Sequence, residues 1–193
     1  MPIITLSGLD GSGKSTQMDL LKEFLKKQGK SFYYFHAVDF SIGNKILGKK
    51  KNRSGKEISV GKASWLQIKL RKIALLIDIC RFKRLLKKLK VDYIISDRYF
   101  YDSVVNVYFL SGNNKKICAE EYIPRPDFAF YLKVYPEKIM QRERKPDQGM
   151  EYLAAKDKIF SDRIKKWEII VLNGERDKEQ IFNDIKERCQ NFS

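Results

Sequence analysis

The chain has 193 residues, room for one compact domain at roughly 150 residues per domain. Hydrophobic residues at 43% and charged residues at 33% exclude a disordered or fibrous chain, and apolar runs no longer than Ile73 to Ile77 or Phe128 to Leu132 exclude a membrane-spanning helix, which needs roughly 20 apolar residues. Lysine and arginine number 39 against 24 acids, a net charge of +15. Sixteen basic residues against two acids, Glu57 and Asp78, fall between Lys45 and Lys90, and the rest of the chain is nearly neutral. Such a surface draws polyanions: a phosphate-rich substrate, nucleic acid or an acidic membrane. The plain alternative is a solvated, lysine-rich face. The N-terminal residues carry no basic n-region, so no signal peptide is expected, and Cys80, Cys118 and Cys189 lack disulfide or zinc spacing. The expected location is cytoplasmic, with reduced thiols.

In chain order, Ile3, Ile4 and Leu6 make a short strand ending at Gly8, and Met18, Leu21 and Leu25 recur at helical spacing up to Gly29. Ser31 to His36 reads as a second, aromatic strand. Gly43 to Gly61 suggests a mobile connection, and Trp65 to Leu89 a long helix with a buried middle at Ile73 to Ile77. Val91 to Ser96, Phe128 to Val134 and Ile169 to Leu172 complete five strands; Pro136 to Arg144, Glu151 to Lys166 and Lys178 to Gln190 are helices. Strands alternating with helices imply a three-layer α/β fold, a parallel five-stranded sheet covered by helices on both faces. The whole chain, 1–193, reads as one domain.

Gly8-Leu9-Asp10-Gly11-Ser12-Gly13-Lys14-Ser15 fits G-x-x-x-x-G-K-[ST] and lies between a strand and a helix, where such a loop cradles phosphate. Glycines let backbone N–H groups close around phosphate oxygens at the helix N-terminus. Lys14 is expected to neutralise the β- and γ-phosphates of a bound nucleotide, and the Ser15 hydroxyl is the expected Mg²⁺ ligand. Thr16 continues the site.

With Thr16-Gln17 added, this segment resembles the thymidylate kinase family of P-loop nucleoside monophosphate kinases, as do Asp97-Arg98-Tyr99, Pro126-Asp127, Tyr131-Leu132-Lys133-Val134 and Pro136-Glu137. The resemblance runs from about residue 3 to residue 185 and implies ATP-dependent phosphorylation of dTMP to dTDP. It implies that Asp10 holds the acceptor's 3′-hydroxyl, that Arg98 contacts the phosphates, that Asp97 supports the Mg²⁺ shell and that Tyr99 lies against the deoxyribose. The alternatives are a structural Asp-Arg pair and a packed tyrosine. Residues 141–150 match the family's lid, so Arg142 and Arg144 supply charge that the loop lacks; the alternative is a solvated helix end. Asn173-Gly174 resembles the segment framing adenine, though Asn-Gly is also an ordinary turn. Family members are commonly dimers, so a homodimer is expected.

Three departures fall on the acceptor side. The segment His36-Ala37-Val38-Asp39-Phe40-Ser41-Ile42-Gly43-Asn44-Lys45 lacks the family's phosphate-binding arginine, leaving His36 or Lys45 as substitutes. On the long helix, Arg81 matches the family's arginine, with Phe82 as a displaced ring. Asp102 stands where the family places serine. These departures leave open another anionic acceptor (a nucleoside, sugar or nucleic-acid end) on the same fold, or a nucleotide-switched binding protein.

Overall fold

The computed structural model describes residues 1–47, 64–112, 116–143 and 145–190. Strands β1 (Ile3–Gly8), β2 (Phe32–Phe35), β3 (Tyr93–Asp97), β4 (Phe128–Lys133) and β5 (Ile170–Asn173) form one parallel sheet in the order β2-β3-β1-β4-β5. Between them run α1 (Lys14–Lys27), α2 (Ala37–Phe40), α3 (Ile42–Leu47), α4 (Trp65–Leu86), α5 (Phe100–Ser111), α6 (Pro136–Met140), α7 (Gly149–Ser161) and α8 (Lys178–Gln190).

Alternation along β1 divides the core. Ile4 and Leu6 face α1 and α8, where Met18, Leu21, Leu25, Ile181 and Ile185 close one side of the sheet; each such side chain contributes roughly 1.5–3 kcal/mol by leaving water. Ile3 faces the opposite layer, built on α4, α5 and α7 around Phe35, Ile79, Phe82, Val104 and Phe160. Both faces are covered, as a parallel sheet requires. After β1 the sheet grows toward β3 and β2 on one side and toward β4 and β5 on the other, so the carboxyl end of β1 is a switch point where ligands enter such sheets.

The five strands lie where hydrophobic runs place them, within one or two residues. Three differences have physical causes. α5 is absent from the periodicity reading because Phe-Tyr-Asp-Ser-Val-Val-Asn-Val-Tyr-Phe-Leu-Ser is rich in β-branched and aromatic residues; it is helical because the fold buries Phe100, Val104, Val105, Val107 and Tyr108 around its axis. The middle of α4 is buried on one face only: Leu75, Asp78 and Ile79 point inward, whereas Ile73, Leu76 and Ile77 are exposed. The connection read from Gly43 to Gly61 begins inside α3, and its remainder, 48–61, lies outside the described residues.

Candidate functional site

The loop 8–15 leaves β1 and enters α1 at Lys14. Gly8 is required by close approach: a Cβ there would stand 2.8 Å from Ser12 Oγ and 2.9 Å from the Leu132 carbonyl. Gly13, at φ 101°, holds a left-handed conformation that other residues rarely adopt. The Lys14 ammonium is buried and donates to the Leu9 carbonyl at 2.7 Å. Burial, with the nearby Arg98 charge, pushes its pKa down. Ser12 Oγ is buried without a hydrogen-bond partner among the described residues, a polar atom that a phosphate oxygen would satisfy.

β3 delivers Asp97 and Arg98 to the same end of the sheet, with Asp97 opposite Leu6 of β1. Ser15 Oγ lies 3.3 Å from Asp97 Oδ2, while Asp97 Oδ1 is buried and unpartnered among the described residues. A hydroxyl beside a carboxylate with a spare oxygen suits a hard cation such as Mg²⁺. Arg98 has a positive φ of 61° and is pinned on both sides, its N–H donating to the Leu6 carbonyl and its carbonyl accepting from Ala37. A non-glycine residue held there stores strain of the kind found at functional sites. Its guanidinium pairs with Asp10. Burial alone would raise the Asp10 carboxyl, but Arg98, Lys14 and Lys156 outweigh it and hold it below the usual carboxylate range.

Two cavities meet over this pair. The smaller, about 670 Å³, is lined by Gly11, Gly13, Lys14, Ser15, Thr16, Asp97 and Arg142. The larger, about 920 Å³, runs between the segment 37–44, α4, α5 and α7, and is walled by Leu75, Phe100, Val105, Leu110 and Phe160. Asp10 and Arg98 line both. Each volume lies within the range of small-molecule sites, roughly 300–1,000 Å³. Ser7 Oγ donates to Asp102 at 2.6 Å beneath the larger cavity, where burial raises that carboxyl.

Several expected residues lie elsewhere. Tyr99 is fully buried: its hydroxyl donates to the Pro124 carbonyl at 2.8 Å and its ring packs on Phe35, Phe82 and Phe100, so it faces the core and not a sugar. Arg81 is held by Asp78 at 2.8 Å and by the Phe40 carbonyl at 3.0 Å, stacked on the Phe40 ring, and does not line the cavity. Phe82 is likewise core. His36 Nδ1 sits 2.8 Å from Asp39 and lines neither cavity. Asn173 accepts from the Glu175 N–H at 3.0 Å, a turn contact outside both cavities. Arg142 reaches the Gly11 carbonyl at the rim of the phosphate loop. Arg144 and the Lys45 side chain lie outside the described residues.

In place of Arg81 and His36, the larger cavity is lined by Arg71 from α4 and by Tyr152 and Lys156 from α7. Lys156 carried a readable signal: Leu153 and Phe160 set the buried stripe of α7, and a lysine three residues after Leu153 falls on it. Arg71 carried none, because the pattern of α4 does not fix which face meets the cavity.

The family model described as thymidylate kinase matches residues 6–185. Relatives include a probable thymidylate kinase from Archaeoglobus fulgidus, 25% identical over 98% of this chain and 95% of its own length. A thymidylate kinase from Prochlorococcus marinus is 28% identical over 98% of this chain and 96% of its own length. The solved structure of thymidylate kinase from Candida albicans superposes with a TM-score of 0.71 at 18% identity, covering 98% of this chain and 91% of that one, a likeness of fold.

Proposed function

The chain belongs to the thymidylate kinase family, and from that premise we propose that it transfers the γ-phosphate of ATP to the 5′-phosphate of dTMP, giving ADP and dTDP. The observation that carries this reading is the shared wall: a phosphate-loop cavity and an apolar-walled cavity open onto the same Asp10–Arg98 pair. Two nucleotides bound on either side bring their phosphates together there. In-line phosphoryl transfer asks little covalent chemistry of a protein; position and charge compensation carry the rate.

On the donor side, the loop N–H groups, the Ser12 hydroxyl and Lys14 hold the triphosphate of ATP, with Thr16 beside them. Ser15 and Asp97 would hold Mg²⁺, which supplies positive charge to the phosphate oxygens. Arg142, released from the Gly11 carbonyl, turns toward the transferring group, and Arg144 is assigned the same work by resemblance. The backbone near Asn173 and Gly174 frames adenine. On the acceptor side, Asp10 is ionised and oriented by Arg98, ready to accept from the 3′-hydroxyl, while Arg98 meets the acceptor phosphate. Leu75, Phe100 and Phe160 seat the base.

The same reading extends to assembly. Trp65, Leu66, Leu70, Ile73 and Ile77 form an exposed apolar stripe on α4, Trp65 at 74% exposure, and a second copy of the chain would bury it as a homodimer. The basic stretch from Lys45 to Lys90 draws nucleotides and other polyanions. Among the described residues no helix is long and apolar enough to cross a membrane, consistent with a cytoplasmic enzyme.

Phosphorus NMR of ATP and Mg²⁺ with dTMP, dUMP and thymidine tests the reaction. The expected result is ADP and dTDP in equal amounts with dTMP as the best acceptor. ADP formed at the same rate without any acceptor overturns it.

A further inference from the structure

A nucleoside monophosphate brings a phosphate whose second pKa is near 6, so it arrives at neutral pH almost fully dianionic. Arg98 alone does not balance that charge, because its guanidinium is committed to Asp10. From 36 to 44, after β2, the chain carries no lysine or arginine. Among the described residues, the other cations lining the larger cavity are Arg71 and Lys156. Arg71 extends from α4, which packs on α3 and α5. Lys156 is nearer the reacting end: its ammonium bonds the Tyr152 hydroxyl, Tyr152 is close enough to Asp10 for that carboxylate to raise its pKa, and Lys156 feels the charges of Asp10, Arg98, Asp102 and Lys14.

The lysine is also unpaid for by the fold. It is half-buried, and among the described residues no carboxylate lies within ion-pair distance of it and its hydrogen bond goes to a neutral hydroxyl. An ammonium in that position costs free energy that a second charge must offset. In the free protein Asp10 and Asp102 act on it only from beyond ion-pair distance, and a dianion entering the cavity would be a direct partner.

We propose that Lys156 is the cation that seats the acceptor's 5′-phosphate beside Arg98, replacing the arginine that the segment after β2 lacks. This rests on the reading of the acceptor as a nucleoside monophosphate. Burial has pushed the Lys156 amine down to about 8, against the smaller opposing effect of Asp10. A bound dianion favours the protonated form and raises that value again, so acceptor binding at pH 8 draws in a proton, about half a proton per site. Groups facing Lys156 are Asp10, Arg98, Asp102, Lys14 and Tyr152; dTMP itself is already dianionic at pH 8.

The test begins with the unmodified protein: titration calorimetry with dTMP at pH 8 in buffers of different ionisation heat. The expected result is net proton uptake, and none overturns the assignment. Lys156→Met is expected to raise the KM for dTMP about 10- to 100-fold with the KM for ATP within about twofold. Lys156→Arg restores dTMP affinity without proton uptake, and inhibition by thymidine, which lacks the phosphate, is unchanged in both. Equal weakening of thymidine and dTMP, or undiminished dTMP affinity in Lys156→Met, contradicts the proposal. If dTMP binds with proton uptake but no dTDP forms, the reaction reading falls and the lysine assignment stands; if dTMP does not bind, both fall.

Discussion

Lys14 is a buried amine and Lys156 a half-buried one, and their surroundings separate their roles. Lys14 sits inside the loop that wraps it, donating to the Leu9 carbonyl, so it is positioned before ATP arrives. Lys14→Ala should reduce dTDP formation by about 100- to 1,000-fold with little change in thermal midpoint, measured by a coupled ADP assay and a melting curve. Lys156 faces the cavity with a pKa of about 8, lowered by burial from an ordinary value of 10.5. Below pH 8 the native state bears the full cost of the buried charge. Between about 8 and 10.5 the unfolded chain holds a proton that the native state has released, and native stability gains as pH rises. Lys156→Met should therefore melt higher than the unmodified protein at pH 7, with the advantage shrinking toward pH 10. A gap that does not narrow over that range would show that the amine is solvated.

Among elements, α4 combines a firm start with an unusual surface. Ser64 accepts from the Gln67 N–H and Gln67 accepts from the Ser64 N–H, a reciprocal cap on a helix that carries Arg71 and Leu75 into the cavity wall. Ser64→Ala should cost about 1 kcal/mol, read as a lower denaturant midpoint with an unchanged slope. The helix start at Trp65 is legible in the letters, as are the phosphate loop and all five strands, because turn residues and apolar period are local signals. The phase of α4 is not: a helix apolar on nearly every side gives no single inward face, so motif spacing favours Arg81, whereas packing places Arg71 at the cavity and binds Arg81 to Asp78. Tyr99 fails for a similar reason. Its place after Asp97-Arg98 is local, but the direction of its side chain is set by the aromatic cluster of Phe35, Phe82 and Phe100, which no local pattern encodes.

For the whole molecule, charge and apolar surface make separate predictions. With a net charge of +15, capture of a dianionic acceptor should be electrostatically assisted, so kcat/KM for dTMP should fall as ionic strength rises while kcat changes little; a salt-independent kcat/KM would assign the basic residues to something other than the substrate. The exposed stripe on α4 predicts a particle of twice the chain mass by light scattering, reduced to the chain mass by Ile73→Lys. The central claim is that one end of the sheet holds a donor and an acceptor with their phosphates meeting at Asp10 and Arg98. It is tested most directly by following the label of γ-³²P-ATP in the presence of Mg²⁺ and dTMP. The account predicts that the label passes to the β-phosphate of dTDP; label released as inorganic phosphate at a rate indifferent to dTMP would contradict it.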